Sequence, residues 1–286
     1  ILYFASEGKK GELPSYLSKG FLKSGFFVFR NSWGEDATQM VVKAGPKAFW
    51  HCQPDNGTFE MWFNGKNLFP DSGSYVYAGS KEVNEERNWF RQTAVHNTLT
   101  LNNKNLDQTN SKTLLWQPEG DIQTLVTENP SYKNLTHRRS IFFVNNTYFV
   151  IVDEAIGAAK GFVNLHYQMP KGKIANSRED MTFVTEFESG SNMKLQCFGP
   201  DGMSMKKEEG WASTAYRKKF KRMNVSFNVK KEDDAVRYIT IIYPMKDSAD
   251  APAMSAKFKT KKFDGKNLKV EVKVGGKKQS LKYTLQ

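Results

Sequence analysis

The chain has 286 residues, of which 42 are basic and 30 acidic, giving a formal net charge of 42 − 30 = +12. A field of that sign draws in polyanions, so nucleic acid, anionic membrane and acidic polysaccharide are the partner classes to weigh. Two cysteines, Cys52 and Cys197, exclude a disulfide framework or a thiolate zinc cluster, and no apolar run approaches the roughly 18 residues of a membrane span.

The opening ILYFASEG has no basic stretch followed by an apolar core, and there is no initiating Met. The chain reads as part of something longer, with any export signal upstream. A short helical turn is expected around Pro14 to Gly20, and residues 1–24 read as a linker leading into a sheet domain over 25–286. Strand patterns then follow at Phe26 to Arg30, Gln39 to Ala44, Phe59 to Phe63, Thr98 to Leu101, Ile141 to Val144, Tyr148 to Asp153 and Phe162 to Gln168. Each is short, rich in β-branched or aromatic residues, and bounded by Gly, Asn, Asp or Pro. Asn145-Asn146 supplies a hairpin turn in FVNNTYFVIVD.

A change in character falls near Pro170-Lys171-Gly172, dividing a part over 25–170 rich in His, Asn, Asp and Trp from outer sheets over 171–286. The later strands are Met181 to Phe187, Met193 to Phe198, Val225 to Val229, Ala235 to Tyr243, Leu268 to Val274 and Leu281 to Leu285, the last two split by Gly275-Gly276. The many lysines of this second part read as solvated edge strands, which lysine protects from aggregation. So many short two-faced strands need sheet-on-sheet burial. The fold class is therefore all-β, a multi-sheet antiparallel sandwich with no solenoid or propeller period.

Chemistry concentrates between Ala48 and Tyr77, in AFWHCQPDNGTFEMWFNGKNLFPDSGSYVY. His51, Gln53, Asp55 and Asn56 crowd one segment before an apolar strand, and a hairpin turning near Gly65 brings the His51 and Asp71 ends together. Downstream, RQTAVHNTLTL sets His96 and Asn97 at the start of another strand. Two histidines and an aspartate thus converge at one sheet edge. Arg87, Asn88 and Arg91 lie on a polar loop nearby and suit carboxylate or sulfate contacts, since a guanidinium matches planar anions bidentately.

His-x-x-Pro-Asp-Asn-Gly before a strand, Asp-x-Gly-x-Tyr after the hairpin, an Arg followed by His-Asn-Thr, and Thr-His-Arg-Arg before a later hairpin resemble the heparinase II/III-like lyases. The resemblance is closest to the heparan-sulfate lyases of polysaccharide lyase family twelve, the heparinase III group. It is distinct from about Gly25 to Pro170 and weaker beyond. It implies the C-terminal sheet part of a two-part enzyme, whose N-terminal α/α toroid forms the other wall of a cleft for acidic polysaccharide such as heparan sulfate or heparin. It also implies bacterial export to the periplasm or outside the cell.

The implied reaction is β-elimination at a uronic acid: a base removes the C5 proton, the carboxylate is neutralised, and an acid protonates the departing oxygen. His51 matches the family's sheet-domain histidine and is the catalytic candidate, with the neutralising Asn and a Tyr supplied by the toroid. The pKa of histidine near neutrality suits proton transfer in either direction. Asn56 is a substrate-binding candidate with Arg87, Asn88 and Arg91. Relatives with His-x-His at this point hold a structural metal. Here Gln53 takes the second His, so Gln53, Asp71 and His96 form a mixed oxygen and nitrogen set for a divalent ion, calcium or zinc, without an organic cofactor.

Competing readings are a non-catalytic carbohydrate-binding sandwich and an alginate-type lyase. A nucleic-acid binder fits the charge but lacks a basic helix or stacked-aromatic motif. His137 fits a structural ion pair beside Arg138 and Arg139, His166 a satisfied cross-strand histidine, and Trp50, Trp62, Trp89 and Trp116 packing rather than sugar stacking. Without the toroid, the chain alone is expected to be inactive.

Overall fold

The computed structural model describes residues 12–47, 52–260 and 263–286. Its strands are β1 (Lys19–Phe21), β2 (Phe26–Arg30), β3 (Thr38–Lys43), β4 (Phe59–Phe63) and β5 (Lys66–Asn67), followed by helix α1 (Lys81–Phe90) and β6 (Leu99–Leu101). Next come β7 (Lys112–Gln117), β8 (Ile122–Tyr132), β9 (Leu135–Val144), β10 (Tyr148–Ile156), β11 (Gly161–Gln168), β12 (Ile174–Ser177), β13 (Thr182–Thr185) and β14 (Asn192–Phe198). The last six are β15 (Ser204–Ala215), β16 (Lys218–Lys231), β17 (Ala235–Met245), β18 (Met254–Phe258), β19 (Asn267–Val274) and β20 (Lys277–Thr284).

These strands make four antiparallel sheets. The first runs β1 to β5 in order; the largest has the order β12-β13-β14-β17-β10-β9-β8-β7; a third is β15-β16-β11-β6; the last is β18-β19-β20. The eight-stranded sheet is the central layer. One face, through Leu125, Ile141, Phe143, Phe149 and Ile151, packs on Phe27, Phe29 and Met40 of the five-stranded sheet and Leu165, Tyr167 and Phe227 of the four-stranded sheet. The other face, through Val126, Phe142, Val144, Val150 and Val152, is covered by Leu268, Val270, Val272, Leu281 and Tyr283. Apolar runs such as IFFV and YFVIV are thereby buried on both faces, and each large apolar side chain withdrawn from water contributes about 1.5–3 kcal/mol.

Asn145 and Asn146 both have positive φ, at 51° and 53°, and join β9 to β10 in the tight two-residue turn that the twist of a hairpin favours. The region over 14–20 holds no helix, and Lys19–Phe21 is strand. The ten-residue helix is instead α1, started by Ser80, whose hydroxyl accepts from the Val83 amide. Strands on either side of residue 170 pair with one another, β10 with β17 and β11 with β16. The break in composition there marks a change of side-chain chemistry within shared sheets.

Candidate functional site

The loop after β3 is tied down at nearly every residue from Cys52 to Gly57. Arg91 donates to the Cys52 carbonyl at 2.7 Å, and the Thr93 hydroxyl to the Pro54 carbonyl at 2.6 Å. Asp55 meets Lys43 at 2.5 Å, and the Asn56 amide spans Gly45 and the Thr109 carbonyl. Gly57 takes φ +89°, and a Cβ there would crowd the Thr98 hydroxyl and the His137 ring, which is a reason for glycine at this point of the Pro-Asp-Asn-Gly run.

The His-Asn-Thr run leaves a short 3-10 turn over Thr93–Val95 and enters β6. Its three side chains have separate tasks. Asn97 joins three segments, donating to the carbonyls of Phe59 (2.8 Å) and Phe69 (3.3 Å) and accepting from the Gln168 amide (2.6 Å). Thr98 donates to the Asn56 carbonyl at 3.2 Å. His96 is fully buried and sets Nδ1 2.6 Å from Oδ2 of Asp71, which comes from the segment after β5.

This pair sits in a charged surround. Burial opposes the imidazolium of His96, but the charge and hydrogen bond of Asp71 outweigh it and hold the pKa above the ordinary histidine value. Burial likewise opposes the Asp71 carboxylate, yet His96, the Gly73 amide and the charge of Arg222 keep it below its usual range. Glu60 on β4 accepts from Asn67 and from the Asp71 amide, and burial raises its pKa. Arg222 on β16, pushed down to about 10 by burial, donates to the Pro70 carbonyl and the Ser72 hydroxyl. Sequence reading missed both Glu60 and Arg222. Glu60 alternates with apolar residues in a strand, and Arg222 stands in a lysine-rich run with no local motif.

Beneath both loops lies a fully buried ionic cluster from the hairpin of β9 and β10. Arg139 Nε and His137 Nε2 lie 2.7 and 2.6 Å from the same Asp153 oxygen, and Arg139 Nη1 donates to the carbonyls of Gly57 and Asn97. Burial lowers the pKa of His137, while Arg139 and His137 hold Asp153 below the usual carboxylate range against burial. The cluster is therefore one guanidinium, one carboxylate and a neutral imidazole. Arg139 and Asp153 thus form a buried ion pair, with His137 hydrogen-bonded to the same carboxylate in a structural role, and His166 bonds Thr100 across strands at 2.8 Å.

His51 and Trp50 lie outside the described residues. The three contacts of the Asn56 side chain among the described residues are all to backbone and the residue is buried, so it helps to hold the loop. Arg87 and Asn88 lie on α1 and Arg91 caps it, where a loop was expected; Asn88 is exposed, Arg87 lies 6.0 Å over the Tyr77 ring, and Arg91 is the anchor of Cys52. Trp116 packs on Phe27 and Phe29, with ring centroids 5.2 and 5.1 Å apart.

The metal set also changes in form. Among the described residues no group of three His, Cys, Asp or Glu side chains is placed to hold an ion. Gln53 Oε1 and His96 Nε2, however, are buried with no hydrogen-bond partner among the described residues. Each is a donor type that a divalent cation takes, the imidazole nitrogen when the ring is neutral with its proton on Nδ1 toward Asp71. Asp71, bonded to the other ring nitrogen, stands where an outer carboxylate fixes a ligand histidine.

A family model described as Heparinase II/III-like, C-terminal, matches residues 14–257. A heparin-sulfate lyase of Bacteroides stercoris is 79% identical over the whole chain, and one of Pedobacter heparinus is 38% identical over 98% of it. The chain spans 43% of the length of each. A solved heparinase III structure superposes with a TM-score of 0.96 at 79% identity, covering 99% of this chain and 44% of that one. A heparan sulfate lyase structure from Pedobacter heparinus gives 0.92 at 36% identity, covering 99% and 45%. With the all-β layers, the Pro-Asp-Asn-Gly loop and the His-Asn-Thr run in place, the chain belongs to the heparinase II/III-like family and represents its C-terminal region.

Proposed function

We propose that this chain is the sheet part of a lyase that cleaves heparan-sulfate-type glycosaminoglycan by β-elimination at a uronic acid, with His51 as its proton-transfer residue. The observation that carries the reading is the loop beginning at Cys52, the residue after His51. Anchors at Cys52, Pro54, Asn56 and Gly57 fix the chain there, as a group that must meet a substrate proton within hydrogen-bond reach requires. The names of the relatives supply the substrate class.

His51 exchanges a proton with the sugar. The Asn that neutralises the uronate and a catalytic Tyr come from an N-terminal α/α toroid. Support for that neighbour lies on the surface: of ten large hydrophobic side chains exposed among the described residues, seven fall between Leu13 and Trp33. Exposed apolar residues gathered so closely mark an interaction surface. Gln53 and His96, oriented by Asp71, would hold a structural divalent ion that stiffens the loop after His51. The enzyme would act in the periplasm or outside the cell.

The test is His51→Ala in the complete protein. Turnover, followed as the ultraviolet absorbance of the unsaturated product, should fall by about 10²–10⁴-fold while polysaccharide binding is kept. Unchanged turnover would remove His51 from the mechanism.

A further inference from the structure

The three-stranded sheet turns one face to the core and the other to solvent, and the outer face is a lattice of charge. Leu268, Val270, Val272, Val274, Leu281 and Tyr283 point inward. The alternate positions form three rows across the strands. Ser255 pairs with Lys273 and Lys273 with Lys278; Lys257 pairs with Glu271 and Glu271 with Ser280; the Lys259 amide bonds the Lys269 carbonyl and Lys269 pairs with Lys282. Nine positions thus carry six lysines and one glutamate, a net 6 − 1 = +5.

Two features separate this face from ordinary edge protection. Lysine at the margin of a sheet deters strand addition, which accounts for β18 and β20. It does not account for Lys269 and Lys273, because β19 is the middle strand and has no free edge. Lysines also stand directly opposite one another at Lys273 with Lys278 and at Lys269 with Lys282, a placement that costs stability through like-charge repulsion. Glu271, within 3.5 Å of Lys257, Lys259 and Lys278, offsets only one unit of the excess.

We propose that this outer face of β18, β19 and β20 is a second binding surface for a sulfated or uronic polysaccharide, on the opposite side of the central sheet from His96 and Asp71. Charges spaced about 5 Å across the strands and about 7 Å along them meet a polymer carrying an anionic group on most of its rings at several points together. The nine positions include no aromatic side chain, so single-stranded nucleic acid would find no stacking platform. Lysine ammonium groups are compact charges suited to scattered sulfates. The choice of polysaccharide rests on the function proposed above, whereas the basic lattice does not. A chain held here would keep a long substrate near the protein between cleavage events.

The test uses the complete protein carrying Lys269→Gln, Lys273→Gln, Lys278→Gln and Lys282→Gln together. A control replaces four exposed lysines elsewhere, Lys133, Lys160, Lys218 and Lys246, also by Gln. The Kd for immobilised heparin should rise roughly tenfold at low salt and lose part of its salt dependence in the first variant only. Its kcat and KM on a heparan-sulfate tetrasaccharide should be unchanged, while KM for the polymer rises. Equal heparin affinity in both variants would overturn the proposal, as would tighter binding of duplex DNA or phosphatidylserine vesicles than of heparin, lost to the same degree. If the unaltered protein releases no unsaturated product, the lyase reading fails while the binding comparison still decides this one.

Discussion

Arg139 reaches across the core from β9 to donate 2.6 Å to the backbone carbonyl of Asn97, and the same nitrogen serves the carbonyl of Gly57. One guanidinium thus sets the distance between the loop after His51 and the run that carries His96. Arg139→Met would leave Asp153 charged, buried and short of its main partner, at a cost of about 3–5 kcal/mol in urea unfolding. Arg139→Lys should lose less, because it keeps the charge but not the fork. Adding Asp153→Leu to Arg139→Met should recover part of the loss; a double variant less stable than the single would contradict this account.

Asn97 gives a second prediction. Its amide faces two carbonyl oxygens and its oxygen faces the Gln168 amide. Asn97→Ala should cost roughly 1–3 kcal/mol for each buried group left bare. Asn97→Asp, although isosteric, should be at least as harmful because it sets a carboxylate against the oxygens of Phe59 and Phe69. Chemical denaturation of the two variants separates loss of shape from loss of the donor.

Acid sensitivity follows from His166, whose pKa burial lowers to about 4. The folded state keeps the ring neutral while the unfolded chain binds a proton near 6.5, so this group's stability is complete above pH 6.5 and is lost as pH falls toward 4. The slope is about 1.4 kcal/mol per pH unit within that window. His137, also lowered, adds in the same direction. His166→Asn should flatten the dependence of the urea midpoint on pH between 4 and 6.5, and an unaltered slope would show that His166 does not titrate there.

The bare atoms of Gln53 and His96 predict a response to chelation. If an ion binds at a hundred times its dissociation constant, its removal costs about 2.7 kcal/mol, seen as a fall in Tm on adding EDTA and regained with calcium. His96→Ala should abolish the response. A Tm indifferent to chelator in the unaltered protein would argue against the ion.

Much of the fold was legible because central strands announce themselves. FFVFR and FEMWF are strands over the residues their patterns mark, and the Asn-Asn and Gly-Gly pairs are hairpin turns. Strands with polar or proline-bearing sequences were not. β8 contains Pro130, accommodated at a register shift between Asn129 and Tyr132, and β15 is mostly Lys, Glu and small residues on an exposed edge. Helix α1 was missed because only Phe90 is buried, leaving little apolar periodicity to detect. In the site, local motifs pointed to His96 and Asp71, which meet. Arg222 and Arg139 reach it from distant strands, through pairings that no local pattern encodes. Asn56 shows the opposite limit: a polar residue in a promising motif is hydrogen-bonded to the backbone of Gly45 and Thr109.

The order of the eight-stranded sheet bears on how the chain is made. β10 is flanked by β9, its neighbour in sequence, and by β17, so the second edge of the central apolar strand stays open until residues 235–245 arrive. Residues 157–234 must be synthesised in between, which takes roughly 4–16 s at ordinary ribosome speeds. Over that interval the emerging polypeptide displays an unpaired, strongly apolar strand, the kind of edge that recruits other chains. Substitutions that slow the arrival of β17 should therefore lower the yield of folded protein before they alter the stability of what has folded.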